Sequence, residues 1–162
     1  HGKSKMSKST ITPYIRILTF FIGLNLLTPT GLAAEISQER YLVQNAFITT
    51  PLGNIEIELY SEQAPVSVTN FVRYIEMGGF NNGRLYRVVR LDNDNGSPKI
   101  EVIQGGANVE FEDFAAIPLE TTKQKGIKHL GGVLTMARGE PNTATSEFFI
   151  CIGAQPSLDF RG

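Results

Sequence analysis

The stretch over residues 131–153 constrains the fold most, because it holds two apolar runs joined by a polar link. The runs 133–137 (VLTMA) and 148–152 (FFICI) have the length and the β-branched and aromatic content of buried strands. Neither run alternates strictly, which favours strands that are covered on both faces or lie in a closed barrel. The link is too long for a tight hairpin and too polar for a core. A loop held at both ends by packed strands is a usual place for a binding site, and we expect one here.

The N-terminal part of the chain has the pattern of an export signal. Lys8 and Arg16 precede an apolar run at 17–27 (ILTFFIGLNLL), and the small residues of a cleavage site follow at 31–34 (GLAA). The run is shorter than a comfortable membrane span. We therefore predict that residues 1–34 are an N-terminal extension plus signal peptide, and that the protein is exported to a periplasm or secreted. The alternative is an uncleaved anchor, and a membrane contact is expected only in that case.

Removing residues 1–34 changes the charge of the chain. All 16 acidic residues follow this segment, whereas four of the 15 basic residues lie inside it. The remaining 128 residues carry 11 basic and 16 acidic side chains, a net charge of −5, which argues against binding to nucleic acid or to an anionic membrane. They suffice for one domain with one core at 35–162. The one cysteine, Cys151, lies in an apolar run and is interpreted as a small buried hydrophobe.

The first part of the remaining chain predicts a hairpin followed by a helix. Residues 46–50 are rich in strand formers, 51–54 have turn composition, and 55–60 alternate apolar and polar residues. An amphipathic helix is predicted next, beginning near Pro65 and ending at Gly78. Its apolar stripe has the i, i+3, i+4 and i+7 spacing and consists of Val68, Phe71, Val72 and Ile75. We interpret this helix as a lid over one mouth of a β-structure.

The middle of the chain predicts further short strands separated by loops. Strands at 85–89 and 100–106 flank residues 91–99 (LDNDNGSPK), an exposed loop in which no metal is expected. Arg87 lies inside the first of these strands, either on its solvated face or held in a pocket wall. His129 stands among glycines and is interpreted as a packed or surface residue. Six or seven strands and one helix predict a mainly β, closed antiparallel fold, and no motif for a cofactor or metal is present.

Over roughly residues 46–159 the chain resembles the cyclophilin-type peptidyl-prolyl isomerases. The motifs that carry the resemblance are, in order, 53–59 with 64–65 and 70–71, then 86–89 (YRVV), 103–106 (IQGG) and 136–150 (MARGEPNTATSEFFI). The resemblance implies an eight-stranded antiparallel barrel capped by two helices, isomerase activity on X-Pro bonds in exported proteins, and no metal or cofactor. It also implies a further strand and a second capping helix after residue 162. We therefore expect an incomplete barrel here and hypothesise that the chain is a fragment of a longer reading frame.

The same resemblance implies roles for individual residues. Arg87 is expected to donate a hydrogen bond to the amide nitrogen of a twisted X-Pro bond, and Gln104 to position Arg87 and the substrate backbone. Phe149 completes the expected catalytic set, and it would form the apolar pocket for the proline ring together with Val102 and Leu158. The other expected substrate contacts are the backbone at Ala137 and Arg138, the Glu147 side chain, and Phe148.

Four positions depart from the family pattern. Glu101 stands where the family usually has an aromatic residue, and Glu147 where it commonly has Gln. Arg138 replaces a more usual Asn, and Ser157 stands where many eukaryotic members have a Trp that helps to bind cyclosporin, so we expect weak cyclosporin binding. The expected partners are proline-containing polypeptide clients, and we expect a monomer. The alternative function is a non-catalytic proline-peptide-binding or chaperone-like module, which Glu101 and the 91–99 insertion favour.

Overall fold

The computed structural model describes residues 44–160, so the predicted signal segment 1–34 lies outside the described residues. Within the described range the chain forms six strands, two α-helices and one 3-10 turn. In chain order these are β1 (Gln44–Thr50), β2 (Gly53–Leu59), α1 (Pro65–Glu76), β3 (Arg84–Val89), β4 (Val102–Gly106), α2 (Thr122–Lys125), β5 (Leu134–Met136), β6 (Phe148–Cys151) and the 3-10 turn (Pro156–Leu158).

The strands β1 and β2 form the antiparallel hairpin that the sequence predicts. Thr50 lies opposite Gly53, and the two residues between them make the turn. Gly53 has a φ of +132°, a backbone conformation that residues with a side chain rarely adopt. Along β2, Ile57 and Leu59 are buried whereas the glutamates that alternate with them are exposed. The hairpin therefore contributes one apolar face to the core.

The helix α1 confirms the predicted helix and supplies a second apolar surface. Val68, Phe71 and Ile75 are at most 9% exposed, as the spacing of the stripe requires. Tyr74 is fully buried too, and its ring packs on Phe80 with the ring centroids 5.5 Å apart. The buried face of the helix is thus wider than the predicted stripe.

The strands β3, β4, β6 and β5 form a four-stranded antiparallel sheet in that order. One face of this sheet closes the core, and we call it the core face. There the Phe148 ring lies edge-on to Phe71 and Phe80, with centroid distances of 5.7 and 5.8 Å. The core therefore lies between the hairpin, α1 and the core face of the sheet.

The two sheets do not join into one closed barrel among the described residues. The hairpin is a separate two-stranded sheet, so one edge of β2 and one edge of β5 have no strand partner within 44–160. A cavity of about 940 Å³ lies between them and is lined by both strands and by α1. This arrangement confirms the prediction of a mainly β fold with an incomplete barrel. Within residues 44–160, no helix has the length and hydropathy that a membrane crossing needs.

The loop at 91–99 is exposed, as predicted, and its shape is fixed by one carboxylate. Asp94 accepts hydrogen bonds from the backbone amides of Gly96 and Ile100, at 2.9 and 2.8 Å. These two amides, that of Gly96 first, hold the pKa of Asp94 below its ordinary value. The carboxylate is thereby engaged by the loop that carries it.

Candidate functional site

The sheet register brings the three expected catalytic residues into one row across three strands. Arg87 on β3 lies opposite Gln104 on β4, and Gln104 lies opposite Phe149 on β6. Thr135 on β5 continues the row. Because directly paired residues of neighbouring strands point to the same side of a sheet, this row lies on one face. We call it the site face, opposite the core face.

A β-bulge in β3 gives the site face two adjacent side chains instead of one. The register between β3 and β4 shifts between Leu85 and Arg87, so Tyr86 is the extra residue. Leu85 packs against the core, whereas both Tyr86 and Arg87 interact with the side chain of Gln104. Arg87 is exposed, as the interpretation of a solvated strand face expects, and it donates a hydrogen bond to Gln104.

A chain of hydrogen bonds connects the polar side chains of the site face. Arg87 Nη1 donates to Gln104 Oε1 at 3.0 Å, and Gln104 Nε2 donates to Glu147 Oε2 at 3.1 Å. A guanidinium only donates and a carboxylate only accepts, so these two partners fix which way the Gln104 amide points. Burial, and then the nearby Glu147 carboxylate, raise the pKa of Tyr86 to about 12. The hydroxyl of Tyr86 therefore stays protonated beside this network.

The apolar part of the site face is built on Phe149 and supported by a residue that the sequence did not assign to the site. The His129 ring stacks on the Phe149 ring, with centroids 5.9 Å apart and an interplanar angle of 15°. Asp159 Oδ1 accepts the His129 backbone N–H at 3.0 Å and lies 2.9 Å from His129 Nδ1. The backbone N–H of His129 is the main cause that lowers the pKa of Asp159. His129 is thus a packed residue, as interpreted, but it packs against the site.

Leu158, Ala137 and Arg138 border the row from the side of β5 and the 3-10 turn. Leu158 is partly buried in the turn immediately before Asp159 and lines the cavity together with Phe149. Ala137 donates its backbone N–H to the carbonyl oxygen of Glu147 at 2.8 Å, so this N–H is already engaged within the protein. The Arg138 side chain is exposed. A substrate chain at this edge would therefore need other backbone groups than the Ala137 N–H.

Two of the expected substrate contacts are buried, and these predictions are corrected. Phe148 is fully buried and packs in the core, because it alternates with Phe149 along β6 and so points to the other face. Val102 is only 2% exposed and pairs with Val89 and Cys151 in a second buried row. Neither side chain offers surface to a ligand. Burial raises the pKa of the Cys151 thiol to about 11, which agrees with the interpretation of a buried hydrophobe.

The large cavity and the polar end of the row are different places. Phe149 and Thr135 of the row line the cavity together with Leu158, whereas Arg87 and Gln104 do not. Within 44–160, no group of three or more His, Cys, Asp or Glu side chains is placed to hold a metal ion. The row itself combines a permanent cation, an oriented amide and an aromatic ring. Such a set can bind and orient a peptide group without forming a bond to it.

The chain belongs to the cyclophilin-type peptidyl-prolyl cis-trans isomerase family. The family model described as "Cyclophilin type peptidyl-prolyl cis-trans isomerase/CLD" matches residues 46–161, which is most of the chain and includes the whole row. The resemblance that the sequence motifs carry is thereby confirmed.

Curated relatives with similar sequences occur in bacteria and fungi. A Dickeya dadantii protein named peptidyl-prolyl cis-trans isomerase A is 35% identical over 117 residues, which cover 71% of this chain and 57% of the relative. An Acinetobacter baylyi protein named peptidyl-prolyl cis-trans isomerase is 37% identical over 103 residues, covering 62% and 50%. A Gibberella zeae protein named peptidyl-prolyl cis-trans isomerase-like 1 is 30% identical over 119 residues, covering 73% and 70%. The chain thus spans about half the length of the two bacterial relatives.

Proposed function

We propose that this protein is a peptidyl-prolyl cis-trans isomerase that accelerates rotation about X-Pro bonds in polypeptide clients. The observation that carries the proposal is the row of Arg87, Gln104 and Phe149, with Arg87 held by Gln104 at 3.0 Å. The names of the relatives support it.

The reaction needs a group that favours the twisted amide, and the row supplies one. Resonance holds the X-Pro bond planar with a barrier of about 18–20 kcal/mol, and twisting the bond returns a lone pair to the nitrogen. Arg87 is permanently charged, so it can donate a hydrogen bond to this nitrogen more strongly in the twisted state than in the planar one. No bond is made or broken, and no proton has to leave the protein.

Gln104 and Phe149 give the guanidinium its place relative to the substrate. Gln104 presents its carbonyl oxygen to Arg87 because its amide nitrogen is engaged by Glu147, which limits the directions the guanidinium can take. Phe149 lies on β6, opposite Gln104, and is partly exposed. Its ring and Leu158 can pack against a proline ring. The X-Pro amide, held between Phe149 and Arg87, would then rotate within an oriented complex.

The test is exchange NMR on a short X-Pro peptide with the full chain and two matched variants. Arg87→Ala should lower turnover by about 100-fold or more, the usual effect of removing a hydrogen-bond donor that acts on the transition state. Arg90→Ala removes the same charge outside the row, where Arg90 pairs with Asp92, and should leave turnover unchanged. Circular dichroism would check that each protein is folded. Equal turnover in the wild type and Arg87→Ala would contradict the proposal. Peptide binding by a folded protein without any turnover would favour the non-catalytic binding module.

Export, monomeric state and weak cyclosporin binding are part of the same proposal. The basic residues, apolar run and small residues within 1–34 support export to a periplasm or the medium. Cell fractionation with mass spectrometry of the exported form tests it, and intact residues 1–34 on an exported protein would contradict cleavage.

Ser157 in the 3-10 turn supports weak cyclosporin binding, which a titration would measure. Sedimentation of the purified protein would test for a monomer.

A further inference from the structure

The Glu147 carboxylate on the site face has no cationic partner within 4.0 Å among residues 44–160. Its side chain is exposed, accepts a hydrogen bond from the neutral amide of Gln104, and lies beside the neutral hydroxyl of Tyr86. Among the ion pairs of the described residues, none within 4.0 Å includes Glu147. The cation identified next to it along the network is Arg87, on the far side of the Gln104 amide. In the proposed reaction Arg87 acts on the substrate amide. The negative charge of Glu147 therefore remains available to a cationic side chain of the substrate.

We propose that Glu147 makes the site select proline peptides that carry a Lys or Arg side chain close to the proline. The inference rests on the proposed isomerase function and names the substrate class of the same site. One Gln104 side chain separates Glu147 from Arg87, so a residue near the X-Pro bond can reach the carboxylate while the amide lies at Arg87. A flexible ammonium or guanidinium group can approach an exposed carboxylate without leaving water.

The position of Glu147 in the sheet supports assigning the charge preference to Glu147 and not to Glu101. Glu147 precedes Phe149 by two residues, so alternation keeps both on the site face, and a Cβ on Gly106 would lie 3.3 Å from Glu147 Cγ. Glu101 is half-buried and lies just before β4 begins at Val102. Of these two glutamates, Glu147 is the one that accepts a hydrogen bond from Gln104 on the site face.

The expected size of the preference follows from the exposure of the pair. Ion pairs between exposed side chains correspond to a change in affinity of about two- to fivefold. Such a pair is weakened by salt, because the screening length falls to about 3 Å at 1 M ionic strength. A preference for basic peptides should therefore be small, measurable and salt-dependent.

The experiment compares peptides that differ in one residue on the full chain and two variants. Each peptide carries Lys, norleucine or Glu at one position within three residues of the proline, and kcat/KM for isomerisation is measured by exchange NMR at low salt and at 1 M NaCl. Glu147→Gln keeps the size of the side chain and an oxygen that can accept from Gln104. Glu62→Gln removes the same charge from an exposed turn between β2 and α1. In the wild type, kcat/KM for Lys over norleucine should be about two- to fivefold at one or more positions. This ratio of kcat/KM for the Lys peptide to that for the norleucine peptide should fall to near one in Glu147→Gln and at 1 M NaCl. It should stay unchanged in Glu62→Gln.

The outcomes separate this inference from the proposed function. Turnover of all peptides with the same Lys-to-norleucine ratio in wild type and Glu147→Gln would overturn the inference and leave the isomerase intact. If a folded protein turns over no peptide, the proposed function fails, and Kd values for the same peptides from NMR titration test the charge preference instead. If Glu147→Gln does not fold, the salt dependence of the wild-type ratio decides, and a ratio that is the same at both salt concentrations contradicts the inference.

Discussion

The two faces of the four-stranded sheet differ in what their aromatic residues touch. On the core face, Phe148 is fully buried against Phe71 and Phe80. On the site face, its neighbour Phe149 is partly exposed and stacks on His129. Because consecutive side chains of a strand point to opposite faces, two identical residues in sequence serve the core and the site separately. Substitutions of these two phenylalanines should therefore separate stability from activity.

The largest expected effect comes from truncating the core-face phenylalanine. Phe148→Ala removes a fully buried ring and should lower the free energy of unfolding by about 3–5 kcal/mol. Urea unfolding followed by circular dichroism measures it. Phe149→Ala is the matched variant on the site face, and it should lose less stability but most of the turnover that the proposed isomerase function predicts. Equal losses of stability in the two variants would show that the faces are not separate.

The adjacent glycines of β4 give a second matched pair, with a smaller effect. A Cβ on Gly105 would lie 2.7 Å from Leu85 Cδ2 and 2.8 Å from the backbone oxygen of Arg84. Backbone atoms in a sheet cannot shift easily to relieve such a contact. Gly105→Ala should therefore lower the free energy of unfolding by about 1–3 kcal/mol. On the site face, a Cβ on Gly106 meets Glu147 Cγ at 3.3 Å, and this exposed side chain can move. Gly106→Ala should therefore cost less, and thermal unfolding that ranks the two variants in the opposite order would refute the comparison.

Local patterns predicted the elements of this fold because their signals lie within one segment. The hairpin and α1 follow from alternation and helical spacing, which are complete within 44–59 and 65–76. Arg87, Gln104 and Phe149 were assigned through motifs, and the register then placed them in one row. The family match covers the same motifs.

The faces of the sheet could not be predicted, because they depend on pairing between distant segments. The run 148–152 has no alternation, so the sequence does not distinguish the inward Phe148 from the outward Phe149. Tyr86 reaches the site only because β3 bulges against β4. His129 reaches Phe149 because Asp159, thirty residues later, binds its backbone and ring. Each of these contacts requires the folded register and has no local signal.

The smallest expected effect tests whether the charge of Asp159, which contacts the His129 that stacks on Phe149, contributes to stability. Asp159 accepts the His129 backbone N–H at 3.0 Å, and this contact is the main reason that its pKa in the folded protein lies below the ordinary value of 3.8. A carboxyl group with a lowered folded-state pKa stabilises the protein above its unfolded-state pKa, and this contribution is lost as the pH falls through the folded-state pKa.

Asp159→Asn keeps an oxygen acceptor for His129 but removes the charge and its titration. At pH 6 the variant should be slightly less stable than the wild type, and the difference in unfolding free energy should shrink as the pH falls below 3.8, measured by urea unfolding at a series of pH values. Taking the difference between two proteins cancels the titration of the other carboxyl groups. A difference that stays constant across this range would show that the Asp159 charge adds nothing to the stability of the fold. A difference that shrinks as described would show that this charge stabilises the fold, through the same His129 that supports Phe149.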